Sequence, residues 1–186
     1  MVANRKLSFR KFSVLVLALV ASLFVAFKTY ERSFMLSIVP DALGVTTIAY
    51  SKEESWGFGP GGNEAGIRFF LLPEAIAAEA SKRGIEFFNS LPPNADQQDR
   101  SWRGQYEKWL ETPVRPDTHW PRDDKSASLN IYDYICRYGF CIDIEPSIAE
   151  EATAIVNSPG SYYAYGRIGI IVVSPARRRV LYMYNG

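Results

Sequence analysis

The stretch WGFGPGGNEAG, residues 56–66, has the composition of a ligand-binding loop. Glycines let backbone N–H groups come close to a ligand, and successive amides can cradle an anion. Trp56, Phe58, Asn63 and Glu64 would add side-chain contacts. No Gly-Lys-Ser/Thr follows, so the stretch is not a nucleotide P-loop. Its glycines lead into a strand-like run instead of opening a helix, which sets it apart from a dinucleotide fingerprint. A hairpin loop without a ligand accounts for the same residues.

The single histidine lies in PDTHWPRDD. Asp117, His119, Asp123 and Asp124 have the types needed for an oxygen-rich cation site or an Asp–His acid/base pair. Three prolines, at 113, 116 and 121, break any regular spacing there, so the pattern equally describes solvated side chains on a loop. Glu53-Glu54 and Glu150-Glu151 are adjacent carboxylates, which do not face each other on a helix or strand. Glycoside hydrolysis needs two carboxylates about 5–10 Å apart across a cleft. Only residues distant in sequence could provide that here. No G-x-S-x-G, H-E-x-x-H or S-x-x-K with partners is present, so no catalytic residue is assigned, and no metal or cofactor is expected.

The two cysteines, Cys136 and Cys141, stand in CRYGFC. In an oxidising compartment such a pair reads as a disulfide, with Gly139 permitting the turn between them. Two buried thiols are the alternative. C-x4-C is not a thioredoxin-type spacing, and one distant histidine does not complete a zinc site. Arg177-Arg178-Arg179 sits between two strand-like runs, where charge also guards against edge pairing. Tyr182 and Tyr184 alternate with Leu181 and Met183, so the tyrosines share a face of the last strand. A tyrosine-lined sheet face suits protein or carbohydrate contact, and it equally suits a sheet half-covered by a loop.

These residues are spread over elements that the sequence suggests in outline. GVTTIAY (44–50) and IRFFLL (67–72) read as strands, and EAIAAEASKR (74–83) reads as a helix entered through Pro73. Residues 92–127 form a proline-broken insert. The stripe Trp102, Tyr106, Trp109 and Leu110 suggests one short helix in it. SLNIYDYICRYG reads as a helix, FCIDI (140–144) as a strand and PSIAEEATAIVN (146–157) as a helix. YAYGRIGIIVV (163–173) and RVLYMY (179–184) flank SPARR as a hairpin. The order implies an α+β domain with a mainly antiparallel sheet and helices packed on one face.

The N-terminal segment decides where this domain works. FSVLVLALVASLFVAF, residues 12–27, holds two serines and no charge. Its 16 residues fall between a signal-peptide core and a full span. Bulky residues crowd the position where a signal peptidase would cut, and Arg10, Lys11 and Lys28 can lengthen the span by snorkelling. An uncleaved anchor is therefore preferred over a cleaved signal or a buried soluble helix. Arg5, Lys6, Arg10 and Lys11, with no acid among them, orient the N-terminus toward the cytoplasm. The expected organisation is a basic tail 1–11, an anchor 12–27, a linker 28–43 and an extracytoplasmic domain 44–186, periplasmic in a bacterium.

Beyond residue 11 the chain carries 17 Lys and Arg against 20 Asp and Glu. A mildly acidic domain lacks the basic face that phosphate binding requires, so nucleic acid is not an expected partner. The leading reading is a membrane-anchored binding module with a protein partner in the cell envelope. An envelope hydrolase with dispersed carboxylates and a secreted domain freed by cleavage are the alternatives.

Overall fold

A computed structural model describes residues 9–56, 63–106, 108–120, 128–137 and 141–186. The chain forms two compact units, residues 1–36 and 37–186.

The first unit is one helix, α1 (Phe9–Leu36), of 28 residues. At 1.5 Å rise per residue it is about 42 Å long. Among the described residues, Lys11–Leu36 is long and apolar enough to cross a membrane. Two hydroxyls of this helix are satisfied locally. Ser22 Oγ donates to Ala18 O at 2.8 Å and Thr29 Oγ1 to Val25 O at 2.8 Å. Back-bonding of this kind lets hydroxyls sit in hydrocarbon without water. The helix does not stop at Phe27. Lys28 pairs with Glu31 at 2.7 Å one turn on, and helical geometry persists to Leu36. The expected linker 28–43 is thus helix up to Leu36. Beyond it Ile38, Val39 and Leu43 are buried in the second unit, where a 3-10 turn spans Asp41–Leu43.

The second unit is an α+β domain built on six antiparallel strands. In chain order they are β1 (Ile48–Trp56), β2 (Asn63–Leu71), β3 (Leu110–Glu111), β4 (Tyr162–Tyr165), β5 (Ile170–Ser174) and β6 (Arg179–Asn185). Their spatial order is β1-β2-β6-β5-β4-β3. The N-terminal hairpin thus joins the C-terminal meander through β2 and β6, from Ala65↔Asn185 to Leu71↔Arg179. β5 is buried along its whole length, as expected of a central strand whose residues 170–173 are all apolar.

Two helices, α5 (Ile131–Ile135) and α6 (Pro146–Asn157), contribute to the apolar core cluster. It combines Ile135, Ala152, Ile155 and Val156 with Ile67, Phe69, Ile170, Val172, Leu181 and Met183 of the sheet. Trp120 packs on Tyr134 at 4.9 Å beneath it. The opposite face carries Phe70, Ile171, Val173 and Val180, also buried. There α2 (Glu74–Arg83) runs through Gly84 into α3 (Ile85–Asn89), whose Phe88 stacks on Tyr162 at 4.5 Å and meets Trp109 in a tilted contact at 4.9 Å.

Three local expectations are corrected. YAYGRIGIIVV is two strands, because Gly166 and Gly169 reverse the chain with Gly166 N donating to Gly169 O at 3.0 Å. FCIDI is not a strand among its described residues. Ile142 and Ile144 are buried and Asp143 exposed, but that alternation packs an unpaired segment onto the helix-covered face. The aromatic stripe 102–110 is not helical either. The short helix of the insert is α4 (Gln97–Arg100), and Ser101 and Gly104 at positive φ end it. Trp109 is buried by contact with Phe88, whereas Leu110 is exposed on β3.

Candidate functional site

One end of the sheet gathers residues from five separate parts of the chain. The β4–β5 turn brings Gly166, Arg167, Ile168 and Gly169 there. β6 ends there with Tyr184, Asn185 and Gly186, and β2 begins there with Glu64. The insert contributes Thr118 and His119, and the end of α5 contributes Tyr134 and Arg137. Together these residues line a cleft of about 520 Å³.

Each wall has a local cause. The backbones of Glu64 and Gly186 exchange hydrogen bonds of 2.6 and 2.9 Å, which extends the β2–β6 ladder to the cleft. Asn185 Nδ2 donates to Tyr134 O and ties α5 to the last strand. Arg137 Nη1 donates to His119 O at 2.8 Å and to Thr118 O at 3.4 Å, joining α5 to the insert. Arg137 follows Cys136, whose Cα lies 4.5 Å from that of Cys141, at disulfide distance. A bridge there holds the residue that clamps this wall.

His119 lies flat on Tyr165, with ring centroids 4.2 Å apart and planes at 17°. Asp117 Oδ1 accepts from the backbone N–H of His119 at 2.8 Å and of Trp120 at 3.1 Å, and stands 3.6 Å from His119 Nδ1. Asp117 therefore shapes the turn that carries the histidine. Burial, with the Asp117 charge adding to it, raises the Tyr165 pKa. Asp123 and Asp124 lie outside the described residues, and among those described no three His, Cys, Asp or Glu side chains converge as a metal site.

Tyr184 leads from the cleft into a charged cluster on the sheet. Arg68 is 5% exposed. It pairs with Glu53, donates to Ser51 Oγ at 3.3 Å and to Tyr184 Oη at 3.1 Å, and stands 5.0 Å from the centre of the Tyr184 ring. The Tyr184 hydroxyl donates to Glu53. Burial raises the Tyr184 pKa, Arg68 opposes that, and the Glu53 carboxylate adds to it. Near neutral pH Tyr184 is therefore a proton donor held on a carboxylate and has no capacity as a base.

The residues singled out from the sequence separate here. Glu64, His119 and Tyr184, far apart in the chain, meet at the cleft. Trp56 and Asn63 are a register pair closing the β1–β2 hairpin. Phe58 lies outside the described residues. Tyr182 is 1% exposed, stacks on Tyr184 at 5.4 Å and donates to Ile168 O at 2.6 Å. Of the two readings of this tyrosine face, the covered one holds, because the rings of Tyr182 and Tyr184 are buried in the domain. Arg178 and Arg179 are bound at the other end of the sheet, to Glu74 and Glu151, each at 3.2 Å. Sequence reasoning missed Arg137 and Arg167. The two glycines that bracket Arg167 were the available sign of a turn presenting it.

A second cleft of about 540 Å³ lies between Pro92, Pro93, Asn94, Tyr106 and Trp109. Its central amides are already engaged. Asn94 accepts from Asp41 N at 2.8 Å and donates to Gln97 Oε1 and Gly104 O. Tyr106 donates to Ile38 O at 2.8 Å. This cleft is where the insert packs on the domain's first turn. Comparison of the chain with family models, with curated proteins and with solved structures finds no match.

Proposed function

We propose that the chain is a single-pass membrane protein with its N-terminus in the cytoplasm, and that its α+β domain binds a partner on the far side of the membrane. The observation that carries this reading is α1, whose stretch Lys11–Leu36 is long and apolar enough to cross a membrane. An apolar segment of that length left in water would expose far more surface than a soluble protein tolerates. Basic residues ahead of the run and none of its own charge within it give the orientation. A cysteine pair at bonding distance is in keeping with an oxidising compartment.

The cleft at the end of the sheet is the contact site in this reading. It joins arginine and tyrosine side chains, which recur where proteins recognise one another, to a histidine. Binding is favoured over the hydrolase alternative because Glu64 is the single Asp or Glu side chain along its walls among the described residues. Glu53, the nearest acid in the adjoining cluster, is held by Arg68 and Tyr184.

The test is a pair of reporters fused after Gly186, one active only in the cytosol and one only outside it. Activity of the exported reporter alone, with the fusion in the membrane fraction and an intact N-terminus, is the expected result. A working cytosolic reporter overturns the orientation, and a mature start near Phe27 replaces the anchor with a cleaved signal.

A further inference from the structure

Among the described residues the first strand forms one edge of the sheet and pairs with β2 alone. Between Tyr50 and Trp56 its register with β2 is regular, and a bulge between Ile48 and Tyr50 ends that run. Glu64 and Gly186 exchange two backbone hydrogen bonds, so the even residues of β2 bond toward β6 and its odd residues toward β1. Through the β1–β2 register, Tyr50, Lys52, Glu54 and Trp56 then bond inward. The backbone groups of Ser51, Glu53 and Ser55 point away from the sheet.

An edge of this kind templates another strand unless charge forbids it. The residues are Y-S-K-E-E-S-W, and this order is nearly its own reverse once opposite charges are treated as partners. Two copies meeting antiparallel about a two-fold axis must keep like faces together, so only registers that place even residues opposite even residues are open. Of the three central ones, one sets Lys52 against Lys52 and another sets Glu54 against Glu54. The third, centred on Glu53, sets Lys52 opposite Glu54 twice and Ser51 opposite Ser55 twice.

We propose that β1 pairs antiparallel with β1 of a second copy of this chain in the register centred on Glu53, joining two six-stranded sheets into one. In this register the opposite charges fall at the closer, non-hydrogen-bonded spacing of about 4.5 Å. The two Glu53 residues fall at the wider spacing of about 5.5 Å. Each Glu53 is also neutralised within its own chain by Arg68. Lys52 and Glu54 already attract one another at 3.1 Å along the strand, and Glu54 leads the groups that raise the Lys52 pKa, with Asp143 adding. The second copy supplies each of them with a partner of the same sign it already has.

A seven-residue strand contact is small beside stable interfaces, which bury about 1,200–2,000 Å². Confinement of both copies to one membrane raises their effective concentration and offsets that. The pairing itself does not depend on which side of the membrane the domain occupies.

The test uses the full chain in detergent micelles, with association read by energy transfer between two labelled populations and mass by light scattering. Wild type is expected to associate. Lys52→Glu and Glu54→Lys, each alone, are expected to weaken association by about tenfold or more, since both cross-strand contacts become repulsive. A mixture of the two single variants is expected to recover association between unlike chains, because every 52–54 contact across the interface is then of opposite sign. Within each variant chain the 52–54 pair stays like-charged, so repair inside one chain cannot produce that recovery. A wild-type chain that stays single as its micelle occupancy rises, or a mixture no better than its components, overturns the proposal.

Discussion

Gly169→Ala tests whether the wall of the cleft is as tightly determined as its geometry implies. Gly169 holds φ at +80°, where an L side chain costs about 1–2 kcal/mol. A Cβ there would run into the carbonyl oxygen of Met183, with Tyr184 Cβ at 2.9 Å behind it. Met183 cannot withdraw, because it is in register with Ile67 on one side and Ile170 on the other. Overpacking of this sort costs about 1–3 kcal/mol. The loss of chain freedom in the unfolded state returns somewhat under 1 kcal/mol. The net expectation is a destabilisation of about 2–4 kcal/mol. Gly160→Ala is the internal control, since Gly160 holds φ at +90° with nothing within 4 Å of the added carbon. It should show the backbone cost alone, about 1 kcal/mol. Urea unfolding of the full chain in micelles, followed by tryptophan fluorescence, reads both. With a slope of about 2 kcal/mol/M, the midpoint should fall by about 1–2 M for Gly169→Ala and about 0.5 M for Gly160→Ala. Equal shifts for the two variants would refute the steric part of the reasoning and with it the rigidity assigned to the turn.

Two further outcomes follow from the buried groups. Burial leads the causes that raise the pKa values of Tyr106, Tyr165, Tyr182 and Tyr184. Folding therefore favours their protonated forms, so stability is full below the unfolded value near 10 and falls as pH rises above it, by about 1.4 kcal/mol per pH unit for each such tyrosine. The share of tyrosinate absorbance due to Tyr165, Tyr182 and Tyr184 should consequently rise in one steep step that coincides with loss of structure, and a gradual titration of these three in the folded domain would contradict their burial. Glu53→Gln removes the counterion of Arg68, which stays buried. Glu53 is 41% solvent-exposed at its side chain, so the loss is set between surface and buried pairs at about 1–2 kcal/mol. The double variant Glu53→Gln/Arg68→Met should recover at least part of it in thermal unfolding, and additive losses would show that the two residues are not coupled.

Much of the local structure was legible because it rests on short-range rules. Pro73 and Pro146 mark the starts of α2 and α6, and Asn157-Ser158-Pro159-Gly160 marks the end of the second. The unbroken apolar run 170–173 announced a strand buried on both faces, and SPARR announced the turn after it. Where two mechanisms produce one pattern, the reading failed. Alternation at Ile142 and Ile144 is what a strand shows, but it is also what an unpaired segment shows when it lies on a core. The four-residue stripe of Trp102, Tyr106, Trp109 and Leu110 fitted a helix, yet Gly104 at φ +70° turned the chain and left Leu110 in solvent.

By itself the sequence determined the membrane-length helix, the antiparallel α+β class and the nearness of the two cysteines, because each depends on composition, periodicity or a separation of a few residues. The tertiary structure decided which residues share a site. Glu64, His119, Arg137, Arg167 and Tyr184 come from five elements, and only the pairing of β2 with β6 brings Glu64 to Gly186. It also decided that Tyr182 and Tyr184 are interior groups, since alternation assigns tyrosines to a face but the fold determines whether that face is covered. The physical reason is the same in both cases. Local preference acts over one turn of helix or one hairpin, whereas burial and convergence arise from contacts between residues that the chain itself keeps far apart.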